Sequence, residues 1–292
     1  MSPARAAEAA LSRESIVLLC GIGILFAVAF GPVLMSIGGS WFDPHANMEH
    51  GTLVPAVAGY AVYQNWNRLR NLPVQPAWWG LIGTIGASLL VWISTVAQWT
   101  YLARISVLLS LTGIVLFLHG PLLLRALRYP LLISFMGITP PTFVYSTVTL
   151  ELQLVASVLA ERALEILGYT VLRQGNILEM VGERLAVEEA CSGIRSLITL
   201  GFFALVYVYF LVPERRMRIL LVASVVPIAI AGNALRIVIT GVVGQYDRQL
   251  AHSVFHDISG YVLLLFSSGV FLTLHWLAGR SFGARVPVER TA

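Results

Sequence analysis

Charge is scarce in this sequence and lysine is absent. Only 12% of the 292 residues are charged, 57% are apolar, and the mean hydropathy is +0.79. A soluble domain carries about 25% charged residues, so the composition excludes an ordinary soluble fold and points to a polytopic membrane protein. All 19 basic residues are arginine. The formal charge of +4 does not mark a nucleic-acid surface, because the arginines punctuate apolar runs and form no patch. They read as topology signals. Cysteine is nearly absent too, with two in the chain. Cys20 stands inside an apolar run, where a thiol behaves as a small hydrophobe. Pairing it with Cys191 would put one partner at bilayer depth, so no disulfide framework is expected. Internal repeats, low-complexity tracts and linkers are also missing, and 1–292 reads as one integral membrane domain.

What the chain has in abundance is long apolar runs. A spanning helix needs about 20 apolar residues, and about eight candidates can be placed: 15–38, 52–67, 77–98, 101–123, 129–147, 195–212, 218–242 and 257–279. The fold expected is therefore an all-α polytopic membrane protein. The first run is too long for a cleaved signal peptide and reads as a transmembrane helix. The second is short and carries Tyr60 and Tyr63; the fifth has Pro140 and Pro141 near its end. With eight spans, Arg5, Arg13, Arg68, Arg70, Arg125, Arg128, Arg215, Arg216, Arg218, Arg280, Arg285 and Arg290 share one side. That side is cytoplasmic by the positive-inside rule, and both termini face it. Segments 39–51, 98–100, 148–194 and 243–256 face outward, which suits the inner membrane of a cell.

The outward segment 148–194 has its own pattern. Leu154, Val155, Val158, Leu159 and Ile166 fall at helical spacing, and Glu151, Glu161, Arg162 and Glu165 give a polar side. This predicts a small interfacial helix ending at Gly168. Beyond it, Val171, Ile177, Val181, Leu185 and Val187 alternate with polar residues around Gly175-Asn176 and Gly182-Glu183. Such dipeptides read as tight turns, so short β-strands in a hairpin are expected there.

Three costly side chains stand at the edges of late spans. Cys191 lies in "AVEEACSGIRSL", residues 186–197. Ser192-Gly193 reads as the start of a helix, and a thiol at a helix N-terminus feels the positive end of the backbone dipole, which favours thiolate. Glu188 and Glu189 oppose that unless they point away. Arg236, in "NALRI", sits well inside the seventh span, where an arginine costs about 2.5–3.5 kcal/mol. It either snorkels outward or faces the bundle interior, and Asn233 one turn earlier is placed to hold it. His256 opens the eighth span in "HDISG". His252 and His256 share a helical face, but the spacing lacks the catalytic glutamate of zinc peptidases, so no metal and no other cofactor is expected. His45 and His50 read as residues of an outer loop. The topology thus delivers a nucleophile, a cation and a titratable base from three helices to one leaflet.

At these residues the chain resembles the exosortase/archaeosortase family. The likeness lies in "EEACSGIRSL", "NALRI" and "HDISG", in that order, with "MEHGTLVPAVAGY" and "PPTFVYSTVTLELQLVASVLAERALEILGYTVLRQGN" upstream. It covers roughly residues 45–275. The resemblance implies a membrane-embedded cysteine peptidase or transpeptidase with Cys191, Arg236 and His256 in the catalytic positions. Its substrates would be exported proteins anchored by a C-terminal signal: a short motif such as Pro-Glu-Pro, a transmembrane helix and a basic tail. Arg195 would bind the motif's acidic residue or anchor Glu188 or Glu189; Asp257 would orient a histidine. Two other readings stay open on the sequence alone. One is a transporter or assembly factor for an exported polymer, to which an intramembrane arginine is equally suited. The other is a hydrolase with the same three groups.

Overall fold

The computed structural model describes the backbone of residues 13–44, 46–181, 183–187, 193–247 and 254–281; the side chains of 13–16, 18–19, 183, 254–259 and 281 are outside the described set. Two compact units divide the chain at Thr139–Pro140. Among the described residues, seven helices are long and apolar enough to cross a membrane.

The first unit contains α1 (Arg13–Trp41), α2 (Val54–Gln64), α3 (Trp66–Leu69), α4 (Trp79–Val96), α5 (Thr100–Leu118), α6 (Pro121–Ala126) and α7 (Arg128–Met136). The span expected over 52–67 is broken. The carboxamide of Asn65 donates to the Ala61 carbonyl at 2.9 Å, and the helix stops at Gln64. The span expected over 129–147 is broken as well. Its helix ends at Met136, and a new one starts after Pro140-Pro141, because proline has no N–H to continue a ladder and restricts the residue before it.

The broken segments still carry the chain through the thickness of the unit. At one end, Trp41 Nε1 donates to the Gly137 carbonyl at 2.9 Å, and Arg104 near the start of α5 donates to Ser36 and Thr139. At the other end, past the close of α5, Gln75 N–H donates to the His119 carbonyl and Ala77 N–H to that of Leu116. A β-carbon on Gly120 would collide with the Gln75 carbonyl. So α2–α3 return what α1 carried out, and α6–α7 run back after α5. The unit makes five passes, two of them by paired short helices, with α2 packed on α7.

The second unit contains α8 (Thr142–Ile166), a three-stranded antiparallel sheet, α9 (Ile194–Leu211), α10 (Arg215–Tyr246) and α11 (Val254–Ser281). The strands are β1 (Val171–Gln174), β2 (Ile177–Met180) and β3 (Glu183–Ala186), in the order β1-β2-β3. The first turn falls where Gly175-Asn176 predicts it, with Gln174 opposite Ile177; the second comes one residue earlier than Gly182-Glu183 predicts, because Glu183 already pairs with Met180 in β3. The separate interfacial helix expected after residue 148 is instead the continuation of one 25-residue helix from Thr142. Length and composition alone would let α8 cross a membrane.

Two buried clusters hold this unit. One joins Leu200, Ala204 and Val208 of α9 to Leu221 and Val225 of α10 and Phe271 of α11. Phe203, Tyr207 and Phe271 meet edge-on or tilted around it, and Tyr207 shares a 2.7 Å hydrogen bond with His275 Nδ1. The other seats the sheet: Leu178, Met180, Leu185 and Val187 pack on Ala156, Ala160 and Leu164 of α8 and on Ile237 and Val238 of α10. Arg218 closes the α9–α10 turn by donating from Nε to the Val212 carbonyl at 2.6 Å.

Candidate functional site

The sheet end of the second unit gathers the elements that carry the sequence-predicted residues. Helix α9 starts there, α10 finishes there and α11 starts there. Glu188, Glu189, Cys191, Ser192 and His252 lie outside the described residues, as does His45 in the first unit; His256 and Asp257 are placed by backbone only, in the first turn of α11. The flanking residues are well defined.

On the nucleophile side, Gly193 is the N-cap of α9, with φ 81° and ψ 0°. That left-handed conformation suits glycine and disfavours other residues. Gly193 also lies flush against α10: an added β-carbon would stand 2.9 Å from Cβ and 3.0 Å from Cγ of Asn233. Asn233 is fully buried, 1% exposed. Its role is therefore to receive the start of α9, whatever else it does for Arg236.

One turn further along the same stretch of α10, Arg236 extends toward α11. Its Nη1 lies 3.9 Å from the position of a β-carbon on Gly260. Gly260 is one helical turn beyond His256, so the guanidinium and the imidazole-bearing turn are neighbours. One turn of α10, Asn233 to Arg236, thus touches α9 with one side chain and α11 with the other. Gly232 fits the same seam, because a β-carbon there would meet Ser267 Oγ at 2.8 Å. Arg195 is exposed on the first turn of α9.

The sheet contributes a residue that the sequence reading treats only as part of a turn. Asn176 pairs twice with Val187: its Nδ2 donates to the Val187 carbonyl at 3.0 Å, and its own carbonyl accepts from Val187 N–H at 2.9 Å. Val187 is the residue before Glu188. Val187 is thus bonded to Asn176, and Gly193 lies against Asn233. Arg173 Nε donates to Glu161 at 2.7 Å and fixes β1 to α8. Tyr169, between them, hydrogen-bonds Tyr246 at the end of α10, and this bond raises the Tyr169 pKa above its ordinary value.

Chain lengths locate this end against the rest of the unit. From Arg215 to Arg236 is roughly 30 Å at 1.5 Å per residue, and so is Gly260 to Arg280. A hydrocarbon core is also about 30 Å thick. Arg236 and Gly260 thus stand one membrane thickness away from the end that carries Arg215, Arg216, Arg218 and Arg280. Arg280 lies over the Trp276 ring at 3.7 Å, as interfacial anchors do.

His50 does not belong to this unit. It is buried in the first one, 5% exposed, with Nε2 3.0 Å from the Met136 carbonyl. Burial lowers its pKa below the ordinary value. There it ties the turn before α2 to the end of α7.

Residues 41–273 match the family model for transmembrane exosortases, Exosortase_EpsH. The chain belongs to this family. Comparison with curated proteins and with solved structures finds no match. The exosortase match takes in all of the second unit up to the middle of α11 and most of the first. A multi-pass membrane protein is what the family and the seven apolar helices both require.

Proposed function

We propose that this exosortase is a membrane-embedded cysteine peptidase or transpeptidase that cuts the C-terminal sorting signal of exported, membrane-anchored proteins. The observation that carries the reading is the single turn of α10 whose Asn233 meets Gly193 and whose Arg236 meets Gly260. Chain connectivity keeps Cys191 within about 7 Å of Gly193, Cα to Cα, and His256 is one turn from Gly260. The reading takes thiol, guanidinium and imidazole to act together on one substrate carbonyl.

The Cys191 thiolate attacks the carbonyl carbon of the scissile peptide, just outside the substrate's transmembrane helix. Negative charge moves to the carbonyl oxygen, where the Arg236 guanidinium, permanently charged and half-buried, stabilises it. The C–N bond breaks as His256 gives its proton to the leaving amine, and a thioester remains on Cys191. The helix and basic tail depart. His256 then takes a proton from the acceptor, an amine or water, which attacks the thioester and expels Cys191 as thiolate, restoring the starting state. Arg195 meets the acidic residue of the sorting motif, and Asp257 orients the histidine.

The site faces away from the cytoplasm in this proposal. Both units have one arginine-rich end: Arg68, Arg70, Arg125 and Arg128 in the first, Arg215, Arg216, Arg218 and Arg280 in the second. The positive-inside rule puts both in the cytoplasm. In the second unit the sheet is then outside, and helix α8 lies along the outer interface. Its buried contact with α10 falls at Ile237, Val238 and Gly241, beyond the roughly 30 Å reach of the hydrocarbon core.

The test is processing of a co-expressed protein bearing the tripartite signal. Cys191→Ala abolishes it without loss of membrane insertion, and mass spectrometry of the mature terminus identifies the acceptor. Continued processing by Cys191→Ala removes the reading.

A further inference from the structure

The first unit holds an arginine that the exosortase reading does not use. Arg104 stands in the fifth residue of α5, at the arginine-poor end of the unit, whereas Arg68, Arg70, Arg125 and Arg128 lie toward the opposite end. An arginine on that side runs against the topology signal of its neighbours, and ionisable groups within spans mark functional sites by default. It does not simply snorkel to water. Its Nη1 donates to Thr139 Oγ1 at 2.7 Å, and its Nη2 donates to the Ser36 carbonyl at 3.1 Å and to Ser36 Oγ at 3.0 Å. All three acceptors are neutral. Among the described residues no carboxylate pairs with it, and its buried Nε has no partner. A half-buried cation held in place by neutral groups is a preformed seat for an anion.

Arg104 also lines a cavity of about 180 Å³ between α1 and the α4–α5 hairpin. Ser36, Gln98 and Thr100 make its polar part, and Pro32 and Val33 make its floor. Along the same seam, toward the other end of the unit, lies a second cavity of about 290 Å³. Phe26 and Phe30 of α1, Leu81 of α4 and Ile114 and Phe117 of α5 line it. The lining residues of the two cavities are consecutive on each helix: 22–30 then 32–36 on α1, 81–88 then 94–95 on α4, 118–110 then 104–100 on α5. The seam thus has a cationic mouth at the edge of the spans and an apolar trough below it, with Phe30, Val33, Val91, Ala103 and Val107 packed between the two. Ser110, 1% exposed, lines the trough, and its hydroxyl has no partner among the described residues.

We propose that this seam binds an anionic phospholipid, with the phosphate on Arg104 and an acyl chain along Phe30 and Phe26. The order of chemistry along the seam is that of an amphiphile: charge first, then hydrocarbon. A free anion would fill only the mouth, and an uncharged chain would leave Arg104 without a counter-charge. The bound lipid joins α1 to the α4–α5 hairpin where protein side chains leave room.

The full-length protein in detergent is titrated with mixed micelles of phosphatidylglycerol or phosphatidylcholine, and separately with inorganic phosphate. Binding is read by native mass spectrometry and by the rise in Tm. Phosphatidylglycerol binds about tenfold or more tightly than phosphatidylcholine, inorganic phosphate gives no comparable rise, and Arg104→Gln loses the preference. Ala29→Phe fills the trough from an exposed helix position without touching Arg104, and weakens both lipids together. If Arg104→Gln fails to fold, Ala29→Phe decides. Equal binding of the two lipids by the wild type, an unchanged preference in Arg104→Gln, undiminished binding in Ala29→Phe, or an equal effect of inorganic phosphate overturns the proposal.

Discussion

The side chain of Asn233 occupies the space in which any residue but glycine at position 193 would put its β-carbon, 2.9 Å from Asn233 Cβ. The start of α9 and the middle of α10 are therefore in backbone-to-side-chain contact, two residues from the cysteine and three from the arginine. This contact has consequences that can be measured.

Gly193→Ala suffers twice, from the left-handed φ of 81° and from the overlap with Asn233. The conformational part alone is roughly 1–2 kcal/mol. Processing of a co-expressed substrate should fall at least tenfold. Asn233→Gly in the same chain removes the overlap but not the strained φ, so it restores part of the loss. Full activity in Gly193→Ala would show that the contact is dispensable.

Gly260 separates a tolerated change from a damaging one. A β-carbon there would sit 3.9 Å from Arg236 Nη1, an ordinary contact. Gly260→Ala should keep processing within about twofold, while Gly260→Leu displaces the guanidinium and lowers it by about tenfold or more. Equal behaviour of the two variants would mean that Arg236 does not need its present position.

The proposed pairing of cation and thiol is testable without substrate. The proposal predicts that in Arg236→Gln the thiolate loses a stabilising positive charge, and the pH midpoint of iodoacetamide labelling at Cys191 should move up by about one unit. Labelling in a Cys20→Ala background keeps the signal at one site. An unmoved midpoint would separate Arg236 from the cysteine.

Helix α8 gives a clean topological choice. Phe143 and Ile166 are exposed near its two ends. Cysteines placed at both positions, in turn, should react with a membrane-impermeant maleimide from the extracytoplasmic side. If one reacts only from the cytoplasm, α8 crosses, and the outward assignment of the sheet has to be reversed or rebuilt.

Burial holds the His50 pKa below its unfolded value of 6.5, against the opposing influence of the Met136 hydrogen bond and Glu49. As pH falls below 6.5 the unfolded chain takes up a proton that the folded one resists. The stability that depends on neutral His50 is thus complete above pH 6.5 and lost as pH drops through the depressed folded value. The fall in Tm from pH 7.5 to 5 should be smaller in His50→Gln, which keeps a donor for the Met136 carbonyl; an identical fall would leave His50 out of the effect.

Much of this architecture is written locally in the chain. Apolar runs locate the long helices because burial in lipid depends on composition more than on partners. Gly175-Asn176 places the hairpin because a two-residue turn has few chemical solutions. The passes through 52–67 and 129–147 are harder to see. Asn65 and Pro140-Pro141 cut their helices, and the pieces persist by packing on each other, which no window of sequence contains. The same reason hides Asn176 and His50 as anchors: each bonds a carbonyl, of Val187 and of Met136, that is distant in the chain. Gly193 and Gly260 are unremarkable as letters. Their meaning lies in what stands opposite them on α10.

Val187 is bonded to the hairpin and Gly193 lies against α10, and the proposed nucleophile falls between these two points in the sequence. For the proposed peptidase, this predicts that a substrate must present its bond at a fixed height above its own membrane anchor. Selectivity then becomes a matter of distance along the client chain as much as of the letters in its motif. Moving that motif outward by a handful of residues should leave it unread.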